Sequence, residues 1–256
     1  SIEANAGSFV FDIISIHNRA HPAFRISGLQ GGTRRLRDGD DCSPDFGLSA
    51  VGFPHRLAPT VLGEIYLSTP FLTPNDPSRI SFEQKATIYL RHTDHIRAFI
   101  CVDVQYPWPA DGYPKIVLFY FNVPEPDLTS QNVQPRRVVN IGRALTAVER
   151  NSIFLMYPNL NDTNMFGNGF QCCGQCHPGA DPAHFVFNIP GPTVLFVDPE
   201  HTLAAWNTPI DAVPVDVAID CRVLLNRIID GALYDDHNVA FGPMWPWDPC
   251  ADFEEA

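Results

Sequence analysis

Twenty-four prolines spread through 256 residues constrain this chain more than any other feature. Proline has no amide hydrogen and locks its own φ, so it breaks helix interiors and is confined to turns, strand starts and sheet edges. Spread this way, it favours short strands joined by long loops. The expected fold is mainly β with minor α: a single antiparallel β sandwich or jelly-roll-like domain with long Pro/Gly-rich loops. The length suits one large β domain. With no internal repeat and no sharp change in composition, a single β-rich domain over 1–256 is expected, with a proline/aromatic-rich C-terminal tail (241–256).

Alternation of apolar and polar residues places the strands. Segments 8–16, 63–69, 138–141, 153–157, 184–189 and 193–197 read as strands, and 22–60 and 158–183 as long loops. The clearest alternation is at 82–90, where Phe82, Gln84, Ala86, Ile88 and Leu90 would share one face. Segment 97–106 repeats the pattern. Segment 115–123 is apolar on both faces, as an interior strand is. These three would form a meander. Thr146 followed by Glu149 resembles a capping box and predicts a helical turn. One packed helix is expected near 215–233, its stripe formed by Val217, Cys221, Leu224, Leu225, Ile228 and Ala232.

Charge restricts partners. Asp and Glu number 29 against 17 Lys and Arg, a net charge of −12, which a nucleic-acid backbone or an anionic membrane repels. The best basic cluster, Arg34, Arg35 and Arg37, runs into Asp38, Asp40 and Asp41, so the signs cancel. No nucleic acid and no membrane insertion are expected, since no run approaches the 18 apolar residues of a span. The first residues, Ser1 to Ala6, lack the basic start and apolar core of a signal peptide. Lysine is confined to Lys85 and Lys115, for which the sequence offers no functional account.

Seven cysteines, Cys42, Cys101, Cys172, Cys173, Cys176, Cys221 and Cys250, suggest a few long-range disulfides in an oxidising compartment, with one thiol left over. Asn161 opens an Asn-Asp-Thr sequon in a polar stretch where a glycan fits. The pattern predicts a secreted, extracellular glycoprotein.

Four constellations could carry chemistry. Cys173, Cys176, His177 and His184, beside Cys172, offer zinc ligands with one two-residue knuckle gap. They lack a second matching pair, and structural disulfides are the plainer reading. His92, Asp94 and His95, with Asp103 on the next strand, could run acid–base chemistry or hold zinc, or form only a solvated turn. His17, Arg19 and His21 would share one face if the first strand continued that far, making a cationic edge for an anionic ligand or for acidic neighbours. Asp38, Asp40 and Asp41 flank Gly39 as hard oxygens for calcium, without the full twelve-residue loop pattern. Calcium is the one cofactor worth naming; none is otherwise expected.

The chain has no nucleophile elbow, phosphate loop, dinucleotide fingerprint or His-Glu-x-x-His. Paired carboxylates remain open, with Glu64, Glu83, Glu125 and Glu149 among the glutamates outside the termini that could serve. Trp245 and Trp247 could stack on a sugar or cover a core edge. The leading expectation is an extracellular non-enzymatic protein on a disulfide-stapled scaffold: structural, self-assembling or ligand-binding. Its partner would be another copy, an extracellular protein or a glycan. The alternative is a secreted hydrolase, with carbohydrate as the candidate substrate, using carboxylates or a metal-bound water.

Overall fold

A computed structural model describes residues 2–35, 41–52, 58–68, 82–91, 96–107, 115–122, 133–142, 145–158, 160, 186–195 and 213–235. The chain opens with two helices, α1 (Ile2–Gly7) and α2 (Phe9–Ala20), followed by β1 (Ile26–Gln30), β2 (Arg34–Arg35), β3 (Asp41–Cys42), β4 (Phe46–Ala50) and β5 (Val61–Ser68). Helix α3 (Phe82–Arg91) leads to β6 (Ala98–Gln105), β7 (Lys115–Asn122), β8 (Arg137–Gly142) and α4 (Ala147–Met156). The last described elements are β9 (Val186–Ile189), the short α5 (Gly191–Val194), β10 (Val217–Asp220) and α6 (Cys221–Asp235).

Six strands form one sheet in the order β1-β4-β5-β6-β7-β8. Every neighbouring pair is antiparallel except β5 and β6, which run parallel from Val61↔Ala98 to Ser68↔Gln105. The sheet is therefore mixed, and the expected single antiparallel sandwich is corrected to a β/α mix. Parallel strands cannot be joined by a tight hairpin and need a long crossover. That crossover contains α3, the segment whose alternation suggested a strand.

Two periods coincide at 82–90. Phe82, Ala86, Tyr89 and Leu90 fall on one helical stripe and pack inward, whereas Gln84 and Ile88, which strand alternation would bury, are exposed. The expected strand at 8–16 fails in the same way. On α2, Phe9, Val10, Ile13 and His17 are buried, while Phe11 and Ile16 face solvent. The strand expected at 153–157 is the end of α4, and that at 193–197 begins in α5. The expected loop 22–60 holds four short strands. Strands at 63–69, 97–106, 115–123, 138–141 and 184–189 lie within one to a few residues of β5 to β9. The capping box is complete: the Thr146 hydroxyl accepts from Glu149 N, and Glu149 accepts from Thr146 N at 2.7 Å. The helix expected at 215–233 runs from Cys221, with Val217–Asp220 in β10 instead.

Each face of the sheet carries its own core. On one face, Ile100, Val102, Ile116, Leu118, Val139 and Ile141 pack under α1, α2, α6 and the antiparallel β9–β10 pair, which adds Phe187, Ile189, Val217 and Ile219. On the other, Leu62, Phe99, Cys101, Val117, Phe119 and Phe121 pack under α3 and α4, which add Ala86, Tyr89, Leu90 and Ile153. Strand β6 is buried on both faces, which removes the half-polar alternation of a one-sided strand. Two local devices hold the sheet together. A side chain at Gly63 would place its Cβ 1.9 Å from Phe46 Cζ, so the Phe46 ring lies directly on the glycine of the neighbouring strand. Asn18 satisfies both backbone groups of Ile26, accepting from its N at 2.7 Å and donating to its O at 2.8 Å, which blunts the outer edge of β1.

The disulfide-stapled scaffold is also corrected. Cys42, Cys101 and Cys221 are free thiols, all buried. Cys101 lies in the core under α3 and α4 and Cys221 in the core on the opposite face, so the sheet separates them. They serve as small apolar packing residues and give no sign of an oxidising compartment. Cys172, Cys173, Cys176 and Cys250 lie outside the described residues.

Candidate functional site

The histidines near the N-terminus do not share a strand face. His17 and His21 stand at the end of α2, ring centroids 4.9 Å apart. His17 is buried, with Nε2 3.0 Å from the Phe24 carbonyl oxygen. Burial lowers its pKa, His21 adds to that, and the Phe24 bond opposes it. This pair closes the turn between α2 and β1. Asp41, the one described member of the calcium candidate, is exposed in β3. Asp38, Asp40, His92, Asp94, His95, Asn161, Cys173, Cys176, His177, His184, Trp245 and Trp247 all lie outside the described residues. Among the described residues, no three of His, Cys, Asp or Glu are placed to hold a metal ion.

Two polar groups are set into the cores, and of their residues the sequence had singled out only Glu64 as a candidate and Lys85 as one of two lysines. The first centres on Glu64 of β5, 6% exposed. Its Oε1 accepts from the Tyr89 hydroxyl at 2.8 Å, and its Oε2 lies 2.9 Å from Lys85 Nζ on α3. The same ammonium sits 5.2 Å from the centre of the Tyr66 ring. Burial pushes the Glu64 pKa up, Asp45 adds to that, and Lys85 and Tyr89 hold it down. Asp45 is also raised by burial, while Oδ2 accepts from Ile65 N at 2.7 Å. Burial pushes the nearby Cys42 thiol up to about 11. Both Glu64 oxygens are engaged by the protein's own donors, so this cluster fastens α3 to β5.

The other lysine does the equivalent job for α4. Lys115 on β7 donates to both oxygens of Glu149, at 2.8 and 3.0 Å. Burial works to raise the Glu149 pKa, but the bonds from Lys115 and Thr146 outweigh it and the pKa falls. The scarcity of lysine thus acquires a structural role: each lysine ties a strand to a helix on the same face of the sheet. Two of the four candidate glutamates, Glu64 and Glu149, are occupied in this way.

The second polar group lies at one end of the opposite face, where Tyr120 of β7 stands across from Arg137 of β8. Both flank Phe187 of β9. The Tyr120 ring centroid is 5.5 Å from that of Phe187, and Arg137 Cζ lies 5.9 Å from the same ring. Asn122 extends from the same face of β7, its Nδ2 3.5 Å from Thr193 Oγ1 on α5. Tyr120 is 5% exposed. Yet Tyr120 Oη, Asn122 Oδ1 and Arg137 Nε are buried with no hydrogen-bond partner.

Burial raises the Tyr120 pKa; Asn122 and Thr193, close to the hydroxyl but short of hydrogen-bond geometry, lower it, and Asp216 raises it. Burial lowers the Arg137 pKa, and only the Cys221 thiol, itself pushed up to about 12 mainly by burial, opposes this. Asp216 is turned elsewhere, its Oδ1 accepting from Gly191 N at 2.9 Å. Buried polar atoms in folded proteins nearly always have partners, so three orphans on adjoining strands form a concentrated exception.

A tyrosine inside an apolar strand and an arginine at the head of the next one were the available signals. Neither indicates its partner until β7 and β8 are paired in register. No protein-family model matches this chain, and neither a curated protein nor a solved structure matches it.

Proposed function

We propose that this chain is a non-enzymatic ligand-binding protein whose ligand sits at the Tyr120 end of the sheet, between β7, β8 and α5. The observation that carries this reading is the set of orphaned polar atoms, Tyr120 Oη, Asn122 Oδ1 and Arg137 Nε, set around the Phe187 ring. Ligand sites combine an apolar wall with a few convergent polar groups, and this arrangement has both. The described carboxylates favour binding over hydrolysis, because Glu64 and Glu149 are engaged by Lys85 and Lys115.

A buried hydroxyl kept for a ligand weakens the ligand-free fold, since its desolvation is uncompensated; the apolar isostere removes that penalty. Tyr120→Phe is therefore expected to stabilise the ligand-free protein by about 1 kcal/mol. That corresponds to a rise in Tm of about 2–4 °C for a chain of this size, read by calorimetry. Destabilisation by a similar amount would mean that the hydroxyl makes a structural bond, and the reading would be wrong.

A further inference from the structure

The structure assigns this site an anionic ligand group, a carboxylate or a phosphate, held between the Arg137 guanidinium and the Tyr120 hydroxyl. The inference rests on the ligand-binding reading above and names the chemistry of its ligand. Arg137 is half-buried, and its Nε–H has no acceptor. Among the described residues, four other cations each face a carboxylate: Lys85 on Glu64, Lys115 on Glu149, Arg222 on Asp220 and Arg227 on Asp12. Arg137 instead lies against the Phe187 ring. A guanidinium nitrogen buried without an acceptor or counter-charge is unfavourable, and an oxyanion is the partner its planar donors fit.

Position narrows the ligand further. Directly opposed residues of an antiparallel pair have Cα atoms about 4.5–5.5 Å apart. Arg137 and Tyr120 stand opposite each other against one ring, an arrangement in which one carboxylate or phosphate would meet both the Nε–H and the O–H. The Asp216 carboxylate acts on Tyr120 electrostatically, so a second negative charge on the ligand would be repelled. Asn122 Oδ1 is an unused acceptor and suits a hydroxyl or N–H donor on the remainder of the ligand. The geometry thus favours a ligand with one anionic head and a neutral polar body.

The test uses the full chain and two probes, sodium acetate and sodium phosphate, each titrated against sodium chloride at fixed ionic strength and pH. Binding is followed by thermal shift and isothermal calorimetry. One or both anions should raise Tm saturably beyond chloride, and the stronger of the two identifies the head group. Arg137→Met should abolish the shift. Asn122→Asp leaves Arg137 in place, adds a competing charge beside the site, and should weaken binding at least tenfold. Tyr120→Phe should weaken it about tenfold, the loss of one charge-assisted hydrogen bond.

No saturable effect of either anion on the wild type would overturn the anionic assignment, as would equal binding by Arg137→Met or Asn122→Asp. If Tyr120→Phe still stabilised the protein in that case, ligand binding would survive and only the charge of the ligand would be wrong. If Tyr120→Phe destabilised it, the ligand-binding reading would fall as well.

Discussion

Replacing Lys85 with methionine leaves the Glu64 carboxylate buried without its cation, and the size of the effect can be worked from the structure. Glu64 keeps only the Tyr89 bond at 2.8 Å. Breaking a fully buried ion pair costs about 3–5 kcal/mol. The Lys85 side chain is 25% exposed, so the loss should fall at or below the low end of that range.

The carboxylate has a second escape, which sets a ceiling: it can take up a proton. From its ordinary value of 4.5, protonation at pH 7 costs about 1.36 × 2.5, or roughly 3.4 kcal/mol. At pH 5 the same product is about 0.7 kcal/mol. The folded-state pKa of Glu64 is already raised, so its unfavourable contribution is absent below 4.5 and grows as pH rises through that value. Removing Lys85 takes away the main influence holding the pKa down and deepens this dependence.

Lys85→Met is therefore expected to cost about 2–3 kcal/mol at pH 7 and under about 1 kcal/mol at pH 5, measured by urea denaturation at both pH values. Adding Glu64→Gln should restore most of the loss at pH 7. An equal cost at pH 5 and pH 7 would show that packing, not the stranded charge, is responsible, and the electrostatic reasoning would be refuted.

Two other outcomes follow from the packing. Gly63→Ala drives a methyl into the Phe46 ring, with Cζ 1.9 Å from the new Cβ, so the ring or the β4–β5 pairing must shift. A loss of about 3 kcal/mol or more is expected, read as a drop in Tm, and a neutral result would contradict the ring placement. Cys42, Cys101 and Cys221 should resist alkylation in the native protein, because burial holds each thiol protonated. They should all label once the chain is denatured without reductant. Peptide mapping would detect any of the three that failed to label, which would restore a disulfide.

Much of the secondary structure was legible in the sequence where side-chain chemistry acts locally. The Thr146–Glu149 capping box marks the start of α4 because its bonds span three residues. The doubly apolar run at 115–123 marks β7 because an interior strand has no polar face. Elsewhere two periods competed. Phe82, Ala86 and Leu90 satisfy both alternation and a helical stripe, and the positions of Tyr89, buried, and of Gln84 and Ile88, exposed, separate the two. The residues of α2 read as a strand because the run is apolar with several isoleucines. Its burial is instead set by neighbours far along the chain, such as β1 and α6, which it reaches through the Asp12–Arg227 pair.

By itself, then, the sequence determined those features that depend on neighbours a few residues apart: strands in apolar runs, one cap, the C-terminal helix and the acidic charge balance. The tertiary structure alone decided that β5 and β6 run parallel, that Cys101 and Cys221 occupy opposite cores, and that Lys85 meets Glu64. It alone brought Tyr120 and Arg137 together around Phe187. Those pairings join residues 17 to 67 positions apart. They form only when sheet register and helix packing close the intervening chain, and no local pattern of residues encodes which distant partner will arrive.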